Sequence, residues 1–426
     1  MKKEKYLKHA DSKLLYLSDK EDVVIRSGRG MYLYDTDGNK YLDFIGGWAV
    51  TGLGHSPKVI SSALYKQSRV LINSSPAYYN VPLIEYAKLI TDNSAFDRVF
   101  FCTSGSEANE GAIKLARKYG KIHKNGAYKI ITLENSFHGR TLAAMSASGK
   151  PSFKKLFNPK VSGFVHVPIN DTDAIAKAID DKTCAVLVEP IQGEGGVNRA
   201  KKKYVNTLRQ ICDDTNTTLI FDEIQTGFGR TGKLFAYEHF DVEPDIITLG
   251  KGIGGGFPLA AILTKDKYNV FEKGEQGGTY TNQPLSAAVG YAVLKEILDK
   301  DLCTNSKKMG SYIKKHLKDL SKNYPIFSIR GRGLMMGFDL GTEIAAKLVA
   351  ECFKAGLLIN SPQPKTIRLI PPLIVQKKHI DRMIKIFQKC LDNVLKEEKK
   401  HDFDNAVSDL DADNSNSAKE LVKKTV

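Results

Sequence analysis

Leu219-Ile220-Phe221-Asp222-Glu223-Ile224-Gln225 is an apolar run that ends in a carboxylate. That is the pattern of a buried strand in an open α/β sheet, where ligands gather at the carboxyl ends of the strands. Taken alone, Asp222 is more readily a solvent-facing strand end than a ligand contact. The sequel changes the weighting, because a second apolar run, Ile246-Ile247-Thr248-Leu249, leads straight into Gly250-Lys251-Gly252 and then Gly254-Gly255-Gly256-Phe257-Pro258. A lysine directly after a buried strand stands where desolvation lowers its pKa, and the flanking glycines let a bulky ligand approach the backbone. An exposed turn lysine is the plainer alternative for Lys251.

Around these two runs the chain from about Val99 to Lys300 alternates short apolar segments with amphipathic helical ones, which predicts βα units feeding a mostly parallel sheet. The predicted strands are Val99–Cys102, Lys129–Leu133, Phe164–Val167, Ala185–Val188, Leu219–Phe221, Ile246–Leu249 and Ala260–Leu263, and the helices include Glu107–His123, Tyr204–Asp214 and Leu285–Leu298. The fold class is therefore α/β, with a seven-stranded sheet in a large domain at 56–305. Val23–Phe44 reads as a strand meander with glycine turns. Helices at Ser306–Lys322, Ile344–Ala355 and Ile380–Leu395, with strands at Ser328–Leu340 and Ile367–Ile370, describe a smaller α+β unit at 306–395, which the N-terminal segment 1–55 joins. Residues 396–426 turn polar and acid-rich and read as a disordered tail.

Composition limits the function classes. The 426 residues are 42% hydrophobic and 26% charged, as in packed globular chains. A formal charge of +15 favours anionic partners, but the lysines are scattered and neither a zinc finger nor an aromatic RNA-binding motif accompanies them, so nucleic acid is not the expected partner. No apolar run of membrane-spanning length occurs, and the first twenty residues lack the apolar region of a secretory signal. The six cysteines form no CxxC pair or metal-binding spacing, so no metal is expected. A cytoplasmic location is.

Two more strand ends carry chemistry. Val99–Cys102 runs into Thr103-Ser104-Gly105-Ser106-Glu107-Ala108-Asn109, small residues at a helix start that suit a phosphate and equally suit a plain N-cap. Lys129–Leu133 runs into Ser136-Phe137-His138-Gly139-Arg140-Thr141, which offers an aromatic face, an imidazole and a guanidinium. Each signal alone is weak; four of them converge on one sheet edge.

These residues, together with Gly30–Asp35, Tyr41–Phe44, Gly52–His55, Glu189-Pro190-Ile191-Gln192-Gly193-Glu194-Gly195-Gly196-Val197, Gly232–Glu238, Arg330–Met335 and Ile367–Leu373, make the chain resemble the class III (ω-amino-acid) aminotransferases. Within them it is most similar to the acetylornithine aminotransferases. The resemblance covers nearly the whole body of the chain. It implies fold type I, pyridoxal 5'-phosphate as cofactor, and transfer of an amino group from an ω-amino donor such as N-acetylornithine to 2-oxoglutarate, with two subunits sharing their active sites as a homodimer.

Carried over residue by residue, the resemblance makes Lys251 the lysine that bonds to the cofactor aldehyde and Asp222 the partner of its ring nitrogen. Phe137 and Ile224 would sandwich the ring, and Gln225 would reach its phenolic oxygen. Ser104, Gly105 and Ser106 would hold the phosphate, with Thr279 reaching a phosphate across the dimer interface. For the substrate it implies Arg368 on the α-carboxylate of 2-oxoglutarate or glutamate, Glu194 covering Arg368 when an ω-amino donor arrives, Arg140 on the other carboxylate, and Gly278 beside the substrate. His138 is read as a residue that hydrogen-bonds behind the site. Trp48 is read at the substrate entrance, with a place in the core as the close alternative.

Asn73–Tyr79 and Gly47-Trp48 differ from the family pattern on the substrate side, which leaves ornithine or 4-aminobutyrate as alternative donors. Gly227-Phe228-Gly229-Arg230-Thr231-Gly232-Lys233 satisfies two nucleotide-binding patterns. Leu234 stands where a P-loop needs a hydroxyl, and Asp222 and Glu223 just upstream would repel a phosphate, so a nucleotide-binding protein is only a remote alternative.

Overall fold

The computed structural model describes residues 3–15 and 20–398. The expected tail at 396–426 lies outside the described residues from 399 onward.

Among the described residues, seventeen strands form four sheets. The largest has seven, in the order β4 (Arg98–Cys102), β12 (Ala260–Thr264), β11 (Ile246–Leu249), β10 (Thr218–Asp222), β7 (Thr183–Val188), β5 (Lys129–Leu133) and β6 (Phe164–Val167). β5, β6, β7, β10 and β11 pair in parallel, while β12 runs antiparallel to both of its neighbours. The strands are continuous apolar runs rather than alternating ones because both sheet faces are covered: every residue of β7, β10, β11 and β12 is buried. Burying Phe221 alone is worth roughly 1.5–3 kcal/mol.

Helix Gly105–His123 lies across β7, β11 and β12. It turns Ala108, Ala112, Ile113, Leu115 and Ala116 inward. Its start is fixed by a capping box, in which Ser104 Oγ accepts from the Glu107 N–H and Glu107 Oε2 accepts from the N–H groups of Thr103 and Ser104. Helices Lys58–Ser68 and Val81–Asp92, for which the sequence reading gave no element, pack on helix Pro284–Asp299.

The N-terminal meander is β1 (Ile25–Arg29), β2 (Tyr32–Asp35) and β3 (Lys40–Asp43), and β3 is joined in parallel by β15 (Leu357–Leu358) from far along the chain. A further sheet pairs β13 (Ile326–Arg332), β14 (Met335–Leu340), β17 (Thr366–Leu369) and β16 (Asn360–Gln363). Helix Leu302–Leu320 covers β13 and β14, and residues 377–398 form the last described helix. A short ribbon, β8 (Ile191–Gln192) with β9 (Asn198–Arg199), carries Glu194 in its turn. Among the described residues no helix is long and apolar enough to cross a membrane.

Candidate active site

The pairing registers set Asp222 level with Thr248, and Ala260 level with Cys102. The carboxyl ends of β4, β5, β7, β10 and β11 therefore open on one edge. There they surround a cavity of about 190 Å³ whose walls include Ser106, Phe137, Glu194, Asp222, Gln225 and Lys251.

Asp222 is buried at the end of β10 and held by three donors: Asn109 Nδ2 and His138 Nδ1, each 2.8 Å from Oδ2, and the Ile224 N–H, 3.0 Å from Oδ1. A carboxylate can only accept, so His138 Nδ1 carries the proton in that bond. Asn109 is itself fixed, donating to the His138 carbonyl at 2.6 Å and accepting from Thr248 Oγ1 at 2.7 Å. The carboxylate thus has one orientation.

Lys251 follows β11 through Gly250 and takes φ +47°, the left-handed region that costs a side-chain-bearing residue on the order of 1–2 kcal/mol. Burial lowers its pKa while Asp222 and Glu194 push back, so its amine is more readily neutral than an exposed lysine's. Gly105 closes the floor, since a Cβ there would stand 2.9 Å from Ile224 Cδ1. The first helical N–H groups, at Gly105 and Ser106, have no partner inside the helix, and both residues line the cavity.

On the opposite wall Arg368, fully buried on β17, places Nη1 2.8 Å from Glu194 Oε1 and 3.4 Å from Gln225 Oε1, while its Nη2 has no partner among the described residues. Burial alone would raise the pKa of Glu194; the Arg368 guanidinium holds it below the ordinary value. Glu189 also lines the cavity, accepting from the Phe137 and Gly193 N–H groups, and burial pushes its carboxyl up to about 7.

Gln225 Nε2 reaches the Trp48 carbonyl at 3.3 Å. Trp48 sits in a turn whose residues Gly46, Gly47, Trp48 and Ala49 all have positive φ, 56–71°. Asp43 secures that turn by accepting from the Ile45 and Gly46 N–H groups at 2.7 and 2.9 Å and by bonding His55 Nε2 at 2.8 Å. Trp48 is 57% exposed, which removes the core alternative.

The structure brings together Gly105, Ser106, Phe137, Glu194, Asp222, Ile224, Gln225 and Lys251 around the cavity, with Arg368 behind Glu194. It does not bring in the rest. Ser104 is spent on the cap and exposed. Arg140 is exposed, with its guanidinium 5.9 Å from the Phe153 ring. Gly278 and Thr279 are exposed away from the cavity walls of their own chain. Sequence reasoning missed Asn109, Thr248 and Glu189; the legible signal for Asn109 was an amide on the otherwise apolar face of its helix.

A sequence profile described as aminotransferase class-III matches residues 16–391. The acetylornithine aminotransferase of Caldanaerobacter subterraneus subsp. tengcongensis is 46% identical over 377 residues, 88% of this chain and 95% of that protein. That of Methanocaldococcus jannaschii is 44% identical over 384 residues, 89% and 94% of the two chains. Among solved structures, the ornithine aminotransferase of Toxoplasma gondii superposes with a TM-score of 0.90 at 31% identity, over 93% of this chain and 96% of that one, and is described with partial occupancy of PLP at its active site. The acetylornithine aminotransferase of Elizabethkingia anophelis gives a TM-score of 0.82 at 32% identity, over 91% and 98%.

Proposed function

The chain belongs to the class-III aminotransferases, and on that premise we propose that it moves the terminal amino group of N-acetylornithine to 2-oxoglutarate, with Lys251, Asp222 and Arg368 as its principal working residues. It is a transaminase of the pyridoxal 5'-phosphate-dependent kind with the fold type I architecture. When bound, that cofactor supplies an aldehyde and an electron-withdrawing ring that withdraws charge from the substrate carbon.

The residues fit such a group. A single observation carries the reading: an amine of lowered pKa, a carboxylate fixed by three donors, and unpaired N–H groups at a helix start all face one cavity. These match an aldehyde, a protonated ring nitrogen and a phosphate. Ile224 and Phe137 both line the cavity, where they would hold a flat ring, and Gln225 Oε1 stands 3.4 Å from Arg368 Nη1.

The work of the residues follows. Lys251 Nζ, neutral more often than an exposed amine, would accept the proton that leaves the donor carbon and hold it for return two atoms away, at the carbon that was the cofactor's aldehyde. Glu194 covers Arg368 when the donor arrives without a carboxylate at that end. When glutamate or 2-oxoglutarate binds, Glu194 swings aside and Arg368 pairs bidentately with the incoming carboxylate. Arg140 and Gly278 would meet the far end of the substrate.

We propose further that the chain divides at about 56 and 305 into a large domain and a smaller one built from both ends. Two chains would pair through the face bearing Tyr78, Tyr79, Val81 and Ile84, all more than half exposed. Asn80 of that face bonds the Asn282 carbonyl, close to Thr279 and to Tyr280, which is 62% exposed, so pairing would cover this side and carry Thr279 toward the neighbouring cavity. The six free cysteines suit the reducing cytoplasm.

The test is a half-reaction panel with N-acetylornithine, ornithine, 4-aminobutyrate and lysine as donors, after borohydride has been shown to fix the cofactor to the Lys251 peptide and not to Lys251→Ala. Fastest turnover with N-acetylornithine is expected. A preference for ornithine or 4-aminobutyrate would overturn the donor assignment, and fixation elsewhere would overturn Lys251.

A further inference from the structure

The glycine-rich segment 227–233, which matches nucleotide-binding patterns without lying on the cavity, carries a guanidinium that catalysis leaves unexplained. Arg230 is 3% exposed, and among the described residues no carboxylate lies within ion-pair reach of it. Its Nη1 donates to two carbonyls at once, Leu334 at 3.0 Å and Pro371. Its own carbonyl accepts from the Leu334 N–H at 2.9 Å and from Ser306 Oγ at 2.8 Å. Burial without a counter-ion depresses its pKa to about 9, so it still carries its charge at neutral pH.

A buried charge without a partner costs several kcal/mol, and packing alone would be served as well by an apolar side chain. What an arginine adds is a rigid planar fork able to hold carbonyls from separate segments. Those segments matter. Pro371 lies three residues beyond Arg368 on the run that leaves β17. Leu334 joins β13 to β14, and β14 is the direct ladder partner of β17, with Gly337 opposite Arg368. The other end of the clasp is anchored beside Asp222: buried Glu223 accepts from the Ala236 and Tyr237 N–H groups and from Thr226 Oγ1, closing the 223–237 loop on itself. Close fit fixes the contact, since a Cβ on Gly333 would stand 2.6 Å from the Arg230 carbonyl oxygen.

We propose that Arg230 is a positioning residue for Arg368: by clasping the Leu334 and Pro371 carbonyls from a loop rooted next to Asp222, it sets the distance between the carboxylate-binding guanidinium and the reacting end of the cavity. This rests on the reading of Arg368 as the site for the 2-oxoglutarate carboxylate. It selects between half-reactions, because the donor half-reaction meets Arg368 covered by Glu194 and does not depend on its placement.

The experiment compares Arg230→Lys and Arg230→Met with the wild-type holoenzyme and with Arg368→Lys, after thermal melts show each to be folded. Both half-reactions are measured, together with competitive inhibition by glutarate, a dicarboxylate that cannot react. Loosening the clasp is expected to raise KM for 2-oxoglutarate and Ki for glutarate about tenfold or more, given how steeply misplacement is felt, while kcat/KM for the N-acetylornithine half-reaction changes less than about threefold. Equal losses in both half-reactions, or no change in glutarate binding, overturn the proposal and leave Arg230 as a packing residue. If Arg368→Lys itself leaves glutarate binding unchanged, the reading of Arg368 fails, and the proposal with it. Should Arg230→Met not fold, Arg230→Lys carries the comparison, since it keeps the charge and removes the fork.

Discussion

Glu194 Oε1 stands 2.8 Å from Nη1 of Arg368, on a guanidinium with no exposed surface and a second nitrogen, Nη2, that has no partner among the described residues. The pair leaves the cationic wall half-neutralised, ready either to stay covered or to accept a carboxylate. Glu194→Ala removes the cover and leaves a buried cation open at all times. The ω-amino donor should lose about tenfold or more in kcat/KM, roughly 1.4 kcal/mol, while glutamate loses less. Steady-state kinetics with both donors decide it, and equal losses would rule out a covering role.

Asn109 gives Asp222 one of its two side-chain donors and takes the Thr248 hydroxyl in return. Asn109→Ala strands a buried hydroxyl and leaves Asp222 Oδ2 with His138 as its one side-chain donor, at a cost of roughly 1–3 kcal/mol of stability and about tenfold in kcat. Asn109→Asp should be worse in kcat, because a second carboxylate would then face Asp222 at hydrogen-bond distance. Melting temperature and single-turnover rates of the two variants check the order.

Burial pushes Glu189 and Glu223 up to about 7 each from an ordinary 4.5. Between those values the folded chain binds more protons than the unfolded one, so this contribution to stability is present below about pH 4.5 and is lost as pH rises toward 7. The loss amounts to at most about 3 kcal/mol per residue. Glu194 has the opposite sign, since its depressed pKa gives a contribution that is lost only on acidification. Thermal melts at constant ionic strength should therefore show Glu189→Gln gaining stability relative to wild type from pH 5 to 8, a comparison in which the opposite slope of the partly buried His239, lowered to about 4, cancels; a difference that stays constant or falls over that window would contradict the assignment.

Gly193 adjoins Glu194, and a Cβ there would run into the Gln225 carboxamide. Gly193→Ala should displace Gln225 from both the Trp48 carbonyl and Arg368, lowering kcat/KM about tenfold with both substrates while leaving the melting temperature within a few degrees. Unchanged kinetics would mean that Gln225 does not tie the entrance turn to the cationic wall.

Fold and site were legible to different depths. The apolar runs at 219–222 and 246–249 gave their strands to within a residue or two because both sheet faces are covered, so burial writes itself into composition. Lys251 and Asp222 stood out because each polar residue closes such a run. Sequence could not separate a cap from a phosphate contact at Ser104, since both need the same small hydroxyl; in the structure Ser104 makes the reciprocal cap bonds with Glu107. Glu189, Asn109 and Thr248 escaped notice because their roles depend on strand register and on which helix face meets the sheet. The helices at 58–68 and 81–92 were obscured by apolar residues on their outer faces, such as Tyr65 and Ile84.

The parallel pairing of β3 with β15 has a consequence for how the protein is made. Leu42 finds its ladder partner in Leu357, 315 positions later in the chain (357 − 42). At roughly 5–20 residues per second of synthesis, the meander leaves the ribosome on the order of 15–60 s before the strand that closes its edge. Throughout that interval it presents an unpaired edge to anything nearby. The stage at which a newborn chain most needs shielding is therefore set by the arrival of a two-residue strand, well after Lys251 has been synthesised.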